Sequence, residues 1–336
     1  MAAMADTRAG ISREQAQSDL REAHPKAQAI EENISQVIVG KPVAVRLAMV
    51  PLLCRGHLLL EDVPGVGKTT LAKALARSID GQFRRLQFTP DLLPLDVTGS
   101  TVYNQRTQEF EFRQGPVFTH VLLADEINRA TPRTQSALLE CMEESQVSVD
   151  GRTHRLPDIF FTIATENPIE SAGTFPLPET QLDRFLLRIH LGYPTEEEEL
   201  EIFDRQAQGN PLDALRPAAG LDDVAFLRSC VPRIHVERSV KEYMAKIVRA
   251  TREHPDARLG ASPRGTLSLV RASQAYALLS RLPYVTPDVV KAVAGPVLGH
   301  RIIVKPHAQI RGTSGQDVVR SVLDQVQVPV KAVGLP

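Results

Sequence analysis

The segment Leu58 to Thr70, LLLEDVPGVGKTT, carries the residue types needed to hold a chain of phosphates. Its leucines predict a buried strand, and the glycine-rich turn after them leads into a helix that starts at Lys68. Backbone N–H groups of such a turn point inward, and the positive end of the helix dipole favours a bound anion. Lys68 would reach the terminal phosphates as a point charge, and Thr69 would place its hydroxyl on Mg2+. Pro64, Gly65, Val66, Gly67 and Thr70 complete the cradle. The glycine that usually opens this motif is replaced by Asp62. A second apolar run, Val121 to Ala124, ends in Asp125 and Glu126, with Asp125 lying 57 positions after Lys68. An Asp at a strand tip can hold a magnesium ion that keeps several of its waters. A Glu beside it can take the proton of an attacking water. Taken singly, these are a turn before an ordinary helix and an acidic strand end. Together they imply a magnesium–nucleotide site.

Further residues could complete such a site. The apolar strand Ile159 to Thr165 ends in Glu166-Asn167-Pro168, which would put the Asn167 amide at a third strand tip, near a γ-phosphate. The ordinary alternative for Asn167 is a turn residue before proline. Arg184, in Gln181-Leu182-Asp183-Arg184-Phe185, reads on its own as a solvated charge. Ser262-Pro263-Arg264 places a cation in the first turn of a helix, where it opposes the dipole; a bound phosphate would account for it.

These residues need a scaffold, and the chain supplies the signals for one. Its 336 residues suit two domains, or one domain with a satellite. Apolar residues make up 43% and charged residues 24%, an ordinary globular balance with room for a sizeable core. A net charge of -1 provides no strong electrostatic funnel toward nucleic acid or an anionic membrane. Cys54, Cys141 and Cys230 are far apart and read as buried small hydrophobes, and the nine histidines form no ligand pair. Met1 to Gln17 lacks an apolar leader core, and no apolar run reaches membrane-spanning length, so a cytoplasmic protein without membrane insertion is expected.

Residues 1–10 read as a disordered start. Leu20, Ala23, Ala27, Ile30, Ile34 and Val37 then recur at helical spacing, and a second helix is expected over 42–53. Beyond it strands (57–61, 83–88, 117–124, 159–164, 185–190) alternate with helices (68–79, 132–144), the pattern of a parallel sheet covered on both faces. Residues 97–114 and 146–156, the latter with Asp150-Gly151 at its turn, read as β-hairpins projecting from the core. A capping box at Thr195–Glu198, a Gly/Pro/Ala linker over 208–220, a second box at Ser239–Glu242, and the Ser262-Pro263 and Thr286-Pro287 starts predict a smaller, wholly helical domain. Residues 301–336 show no clear period.

With these segments in view, the chain closely resembles the MoxR-type AAA+ ATPases. The resemblance rests on Glu61–Thr70, Ala124–Ala130, Thr134–Glu140, Ala164–Glu170, Gly173–Arg188 and Gly260–Arg264, and runs from about Val39 to about Arg301. It implies an αβα P-loop core with a parallel sheet and a C-terminal all-helical lid. The divisions expected are an extension over 1–24, the core over 25–195, the lid over 196–310 and a tail over 311–336. By resemblance, Lys68 and Thr69 are the Walker A pair and Asp125 and Glu126 the Walker B pair. Asn167 is sensor 1, Arg264 the sensor 2 arginine, and Arg184 the finger that reaches a neighbour's ATP, with Arg188 as its competitor. Val39 and Gly40 join the nucleotide contacts, and the two hairpins match the helix-2 and pre-sensor-1 insertions. Glu166 stands where the family more often has Gln.

The resemblance further implies ATP and Mg2+ as ligands and a homo-oligomeric ring, expected to be a hexamer. It also implies protein clients, a von Willebrand factor A domain partner, and a chaperone-like role in maturation or in metal or cofactor insertion. Two other functions stay open: a DNA-acting motor, favoured slightly by Arg152, His154 and Arg155 on the second hairpin, and a non-hydrolysing ATP-binding scaffold. A GTPase is excluded, because the chain has no N-K-x-D segment to read guanine.

Overall fold

The computed structural model describes residues 13–168 and 173–329. The expectations for residues 1–10, Ile169, Glu170 and 330–336 lie outside them. Helix α1 (Arg13–Ser35) buries Leu20, Ala23, Ala27, Ile30 and Ile34 along one stripe, as their spacing requires. After α2 (Pro42–Leu53) the chain runs β1 (Leu58–Glu61), α3 (Lys68–Ser78), β2 (Phe83–Gln87), α4 (Pro94–Thr98), β3 (Gly99–Asn104), β4 (Glu109–Gln114) and β5 (Val121–Asp125). It continues through α5 (Pro132–Glu144), β6 (Gln146–Val149), β7 (Arg152–Arg155), β8 (Phe161–Glu166), α6 (Glu179–Leu182) and β9 (Leu187–Ile189).

Five of these strands form one sheet in the order β2-β5-β8-β1-β9, and every pairing in it is parallel. Strand β5 is buried at all five positions, which explains its unbroken apolar run: helices cover both faces. Alternation along β1 assigns its leucines to two cores. Leu58 and Leu60 join α1, α2, α3 and the C-terminal helices, while Leu59 joins α5, Phe160 and Phe185 on the opposite face. Edge strand β2 carries Arg84 and Arg85, charges that protect an exposed edge. The register brings Gln87 level with Asp125 and Glu61 level with Glu166, so the C-terminal strand tips line one rim. That rim is where ligands of open parallel sheets bind.

The two expected hairpins, β3–β4 and β6–β7, are antiparallel and lie outside the sheet. Asp150 and Gly151 both have positive φ, as a type I′ turn demands. Phe112 of the first hairpin stacks on His154 of the second at 3.9 Å, joining them into one projection.

The rest of the described chain is mainly helical: α7 (Glu196–Ala207), α8 (Pro211–Ala214), α9 (Leu221–Cys230), α10 (Arg238–Glu253), α11 (Pro263–Leu279), α12 (Pro287–Leu298), α13 (Pro306–Ile310) and α14 (Gly315–Gln325). Thr195 and Glu198 form the expected capping box, and Ser262 and Thr286 precede Pro at N1. Four details differ from the sequence reading. Helix α10 already begins at Arg238, so Glu237 takes the N-cap position and Ser239 caps nothing. Strands β10 (Ala257–Leu259) and β11 (Ile303–Val304) pair as a short antiparallel ribbon within a region expected to be wholly helical. The 208–220 linker is packed rather than loose: it holds α8, buries Leu212 and Leu215, and its Ala218 and Ala219 amides donate to Ser78 O. Finally, α14 lies within the expected tail, where the chain shows no clear period by eye. Ser314 caps it, and Val318, Val319 and Val322 are buried against the helical core. Among the described residues, no helix is long and apolar enough to cross a membrane.

If α14 is part of this core, Val318→Asp should lower unfolding free energy by about 3 kcal/mol, the cost of burying an unpaired charge. Urea unfolding checks this; an unchanged midpoint would mean α14 is not integrated.

Candidate nucleotide site at the strand tips

The phosphate turn leaves β1 through Asp62, and the structure explains why a carboxylate can replace glycine there. Asp62 Oδ2 accepts hydrogen bonds from the Leu191 amide (2.6 Å) and the Gly192 amide (2.8 Å), and Oδ1 accepts one from the Val63 amide (3.0 Å). Asp62 is buried, and it ties the root of the turn to the segment after β9. Gly65 (φ 87°) and Gly67 (φ 95°) are left-handed, with open space where a Cβ would stand. Backbone conformation, rather than crowding, therefore demands glycine at both positions. Gly67 is the N-cap of α3 and delivers Lys68, Thr69 and Thr70 in its first turn. Lys68 Nζ donates to Asp62 O and, at 3.4 Å, to Glu166 O, so its ammonium lies between the tips of β1 and β8. Burial pulls the Lys68 pKa down, while the carboxylates of Asp62, Asp125 and Glu126 oppose that shift.

A cleft of about 500 Å³ opens beside this turn. Val37, Ile38, Val39 and Lys41 line it from the α1–α2 connection, Gly65–Gly67, Thr69 and Thr70 from the turn and α3, Leu191, Gly192 and Pro194 from beyond β9, and Ile202, Arg205 and Leu212 from the helical region. Val39, expected to contact nucleotide, thus lines the cleft. Gly40 and Pro64 do not line the cleft. Gly40 is needed for its φ of 70° and because a side chain there would strike Glu198, which pairs with Lys41 at 3.1 Å.

At the tip of β5, Thr165 of β8 joins both acidic residues. Its hydroxyl donates to Asp125 Oδ1 (2.6 Å) and accepts the Glu126 amide (2.8 Å). Glu126 has a φ of 55°, a conformation that the hydroxyl helps to hold. The Glu126 carboxylate is gripped by Gln87 (2.9 Å) and Arg129 (3.0 Å). Arg85 pairs with Asp125 Oδ2 through Nη2 at 2.6 Å and Nε at 3.0 Å. Asn167 is buried immediately after β8. Hydroxyl and carboxylate oxygens from Thr69 and Asp125 are the hard donors that Mg2+ prefers. Among the described residues, no group of three or more His, Cys, Asp or Glu could hold a metal by itself. Mg2+ held here would need further oxygens from phosphate and water.

Sequence reasoning missed Thr165, Gln87, Arg85 and Arg129. All four lie within four residues of a strand tip on the rim, and only the strand order reveals which tips are neighbours.

The arginines divide. Arg188, within β9, is mostly buried and pairs with Glu61 at 2.9 Å, so it does not project. Arg184 is one-third exposed, donating to Leu139 O (2.9 Å) and pairing with Glu143 (2.8 Å). Arg264 does not line the cleft. Its exposed side chain lies 3.8 Å from Glu143 and 3.9 Å from Asp183, beside Arg184. The residues expected to sense nucleotide from the lid and to serve as a finger thus share one carboxylate, Glu143.

A parallel sheet in this order, a glycine turn between β1 and α3 and two carboxylates at the tip of β5, with β8 between, define an AAA+ P-loop ATPase module. Comparison with known proteins agrees. The model of the ATPase family associated with various cellular activities matches residues 57–187, and that of the AAA lid domain matches 249–322. The chain is 49% identical to the uncharacterized protein YeaC of Bacillus subtilis, over 92% of this chain and 96% of that one. It is 40% identical to Chaperone MoxR1 of Mycobacterium tuberculosis, over 92% and 83% of the two chains. A crystal structure from Cytophaga hutchinsonii superposes with a TM-score of 0.88 at 36% identity, covering 96% of this chain and all of that one. The chain belongs to the MoxR-type AAA+ ATPases.

Glu166 is level with Glu61 across the paired strands β8 and β1. Burial, reinforced by the charge of Glu61 and only partly offset by Arg188, pushes its pKa up from 4.5 to about 7. A raised carboxyl pKa means the folded state holds the proton more tightly than the unfolded chain. Stability therefore falls as pH rises from about 4.5 to about 7, and the penalty is complete above that. Glu166→Gln should be more stable than the parent at pH 8, with the advantage disappearing near pH 4.5. Thermal unfolding across that range checks it; a pH-independent difference would contradict it.

Proposed function

We propose that this chain hydrolyses ATP and uses the energy to remodel other proteins, acting as a homo-oligomeric ring, most simply a hexamer. The observation that carries the hydrolytic part is the convergence of Lys68, Asp125, Glu126 and Asn167 on one rim beside the glycine turn. In this reading the cleft lined by Val39, Leu191 and Ile202 takes the nucleoside, and backbone amides of Gly65–Gly67 hold the phosphates. Lys68 turns from the carbonyls of Asp62 and Glu166 to the β- and γ-phosphates. Bound Mg2+, held through Thr69 and Asp125, would neutralise charge on the phosphate oxygens. Asn167 orients the attacking water and Glu126 removes its proton, while the water oxygen bonds to the γ-phosphorus and the β–γ bridging bond breaks. ADP carries away the bridging oxygen. For Glu126 to act, its hold on Gln87 and Arg129 must loosen.

Arg184 supplies positive charge to the neighbouring subunit's γ-phosphate, and Arg264, placed beside it, faces the same interface. What supports this is their shared position at Glu143, an exposed carboxylate that does not line the chain's own cleft. A chaperone-like role toward protein clients, working with a von Willebrand factor A domain partner in maturation or in metal or cofactor insertion, is proposed from family membership and from the name of the mycobacterial relative. Cytoplasmic location is part of the same proposal. The net charge of -1 favours protein clients over nucleic acid.

Glu126→Gln should retain ATP binding and lower turnover about 10²–10⁴-fold, the worth of a positioned general base. Lys68→Ala should lose nucleotide affinity in a fluorescent-nucleotide titration. Near-normal turnover in the first variant, or unchanged affinity in the second, would refute these roles. Arg184→Ala should bind ATP and fail to turn it over, because a transition-state arginine is worth about 10³–10⁵ in rate. Mixed with Glu126→Gln subunits it should recover activity, since hybrid interfaces then combine an intact Glu126 with a neighbour's Arg184. Silence in mixtures that demonstrably co-assemble would refute the finger.

A further inference from the structure

The turn that bears Arg184 is anchored from the helical region of the same chain by one buried side chain, Arg301. Its guanidinium is 3% exposed. Nε donates to Asp183 Oδ1 at 2.6 Å, Nη2 to Asp183 O (3.3 Å) and Phe185 O (2.8 Å), and Nη1 to Leu186 O (3.2 Å) and Val297 O. Neighbouring His300 adds a bond from Nε2 to Phe185 O at 3.1 Å. The backbone on both sides of Arg184 is therefore held by residues that follow α12, far away in sequence.

We propose that Arg301 is a positioning residue for the finger: through it, the helical region of each subunit sets the Arg184 turn that the subunit presents to its neighbour. The proposal rests on the reading of Arg184 as a trans-acting finger. Burying a guanidinium is expensive, and an apolar residue of similar volume would often serve packing as well or better. A rigid fork with five donors fixes several acceptors at once, which apolar packing cannot do. Here four of the acceptors belong to residues 183–186. A Cβ at Gly265 would stand 3.6 Å from Arg301 Cδ, ordinary van der Waals contact, so the first turn of α11 packs against the Arg301 stem. Arg264, the preceding residue, lies near the other oxygen of Asp183.

The mixture of Arg184→Ala and Glu126→Gln subunits provides the test, because the active hybrid site takes its finger only from the Glu126→Gln subunit. Arg301→Lys keeps the charge and loses the fork. Placed on the finger-donating subunit, it should lower recovered turnover about 10²-fold, the scale of a roughly 1 Å misplacement, yet change it less than about twofold on the other subunit. Asp183→Asn, which alters the more exposed partner, should reproduce this one-sided loss should Arg301→Lys not fold. Co-assembly is verified by size-exclusion chromatography in each mixture. Equal losses in both placements would make Arg301 merely structural, and no loss in either would remove it from finger positioning. A silent parent mixture would overturn the finger reading itself, and this proposal with it.

Discussion

A single hydroxyl, that of Thr165, holds the chemistry of this site in register. It donates to Asp125 and accepts from the Glu126 amide, binding the tip of β8 to the tip of β5. The bridge supports the left-handed backbone at Glu126 and, together with Arg85 on Oδ2, fixes the Asp125 carboxylate. The bridge works because the strands are parallel and level, which in turn requires helices over both faces of the sheet. The alternation of Leu58, Leu59 and Leu60 between two cores supplies that coverage. Sheet packing and the placement of the carboxylates are thus one constraint seen at two scales.

Three charged pairs stand on the rim, Arg85 with Asp125, Arg129 with Glu126 and Arg188 with Glu61, while Lys68 donates to the backbone carbonyls of Asp62 and Glu166. Bringing anionic phosphates to Lys68 must redistribute these partners, which gives the rim a physical route for sensing the ligand. Asp62 extends that route. Its carboxylate joins the phosphate turn to Leu191 and Gly192, the start of the connection to the helical region. Movement of the turn is therefore coupled to the segment that leads into α7.

Much of this was legible in the sequence, for local reasons. Glycines forced into positive φ, a lysine and threonine at a helix start, and apolar runs ending in carboxylates are signals carried by neighbouring residues. The hairpin at Asp150-Gly151 was legible for the same reason. What escaped depends on which elements become neighbours. Thr165 reads as part of an apolar strand until β8 is placed beside β5, and Gln87 as an unremarkable strand end until β2 is placed on the other side. Arg301 gives no local sign that it reaches Asp183, and the weak periodicity of α14 conceals three valines packed against helices distant in sequence. Arg264 stands in the first turn of α11, as its sequence position indicates, but that position gives no sign that it shares Glu143 with Arg184.

The central claim is that a magnesium–nucleotide site on this rim is completed by a neighbouring subunit. Its most direct test is the rate of phosphate release per subunit, with Mg2+ and ATP, across a range of protein concentration over which ultracentrifugation shows assembly. The account predicts a per-subunit rate that climbs with assembly and falls away in dissociated protein. A rate independent of assembly, or no phosphate release from the assembled protein, would contradict it.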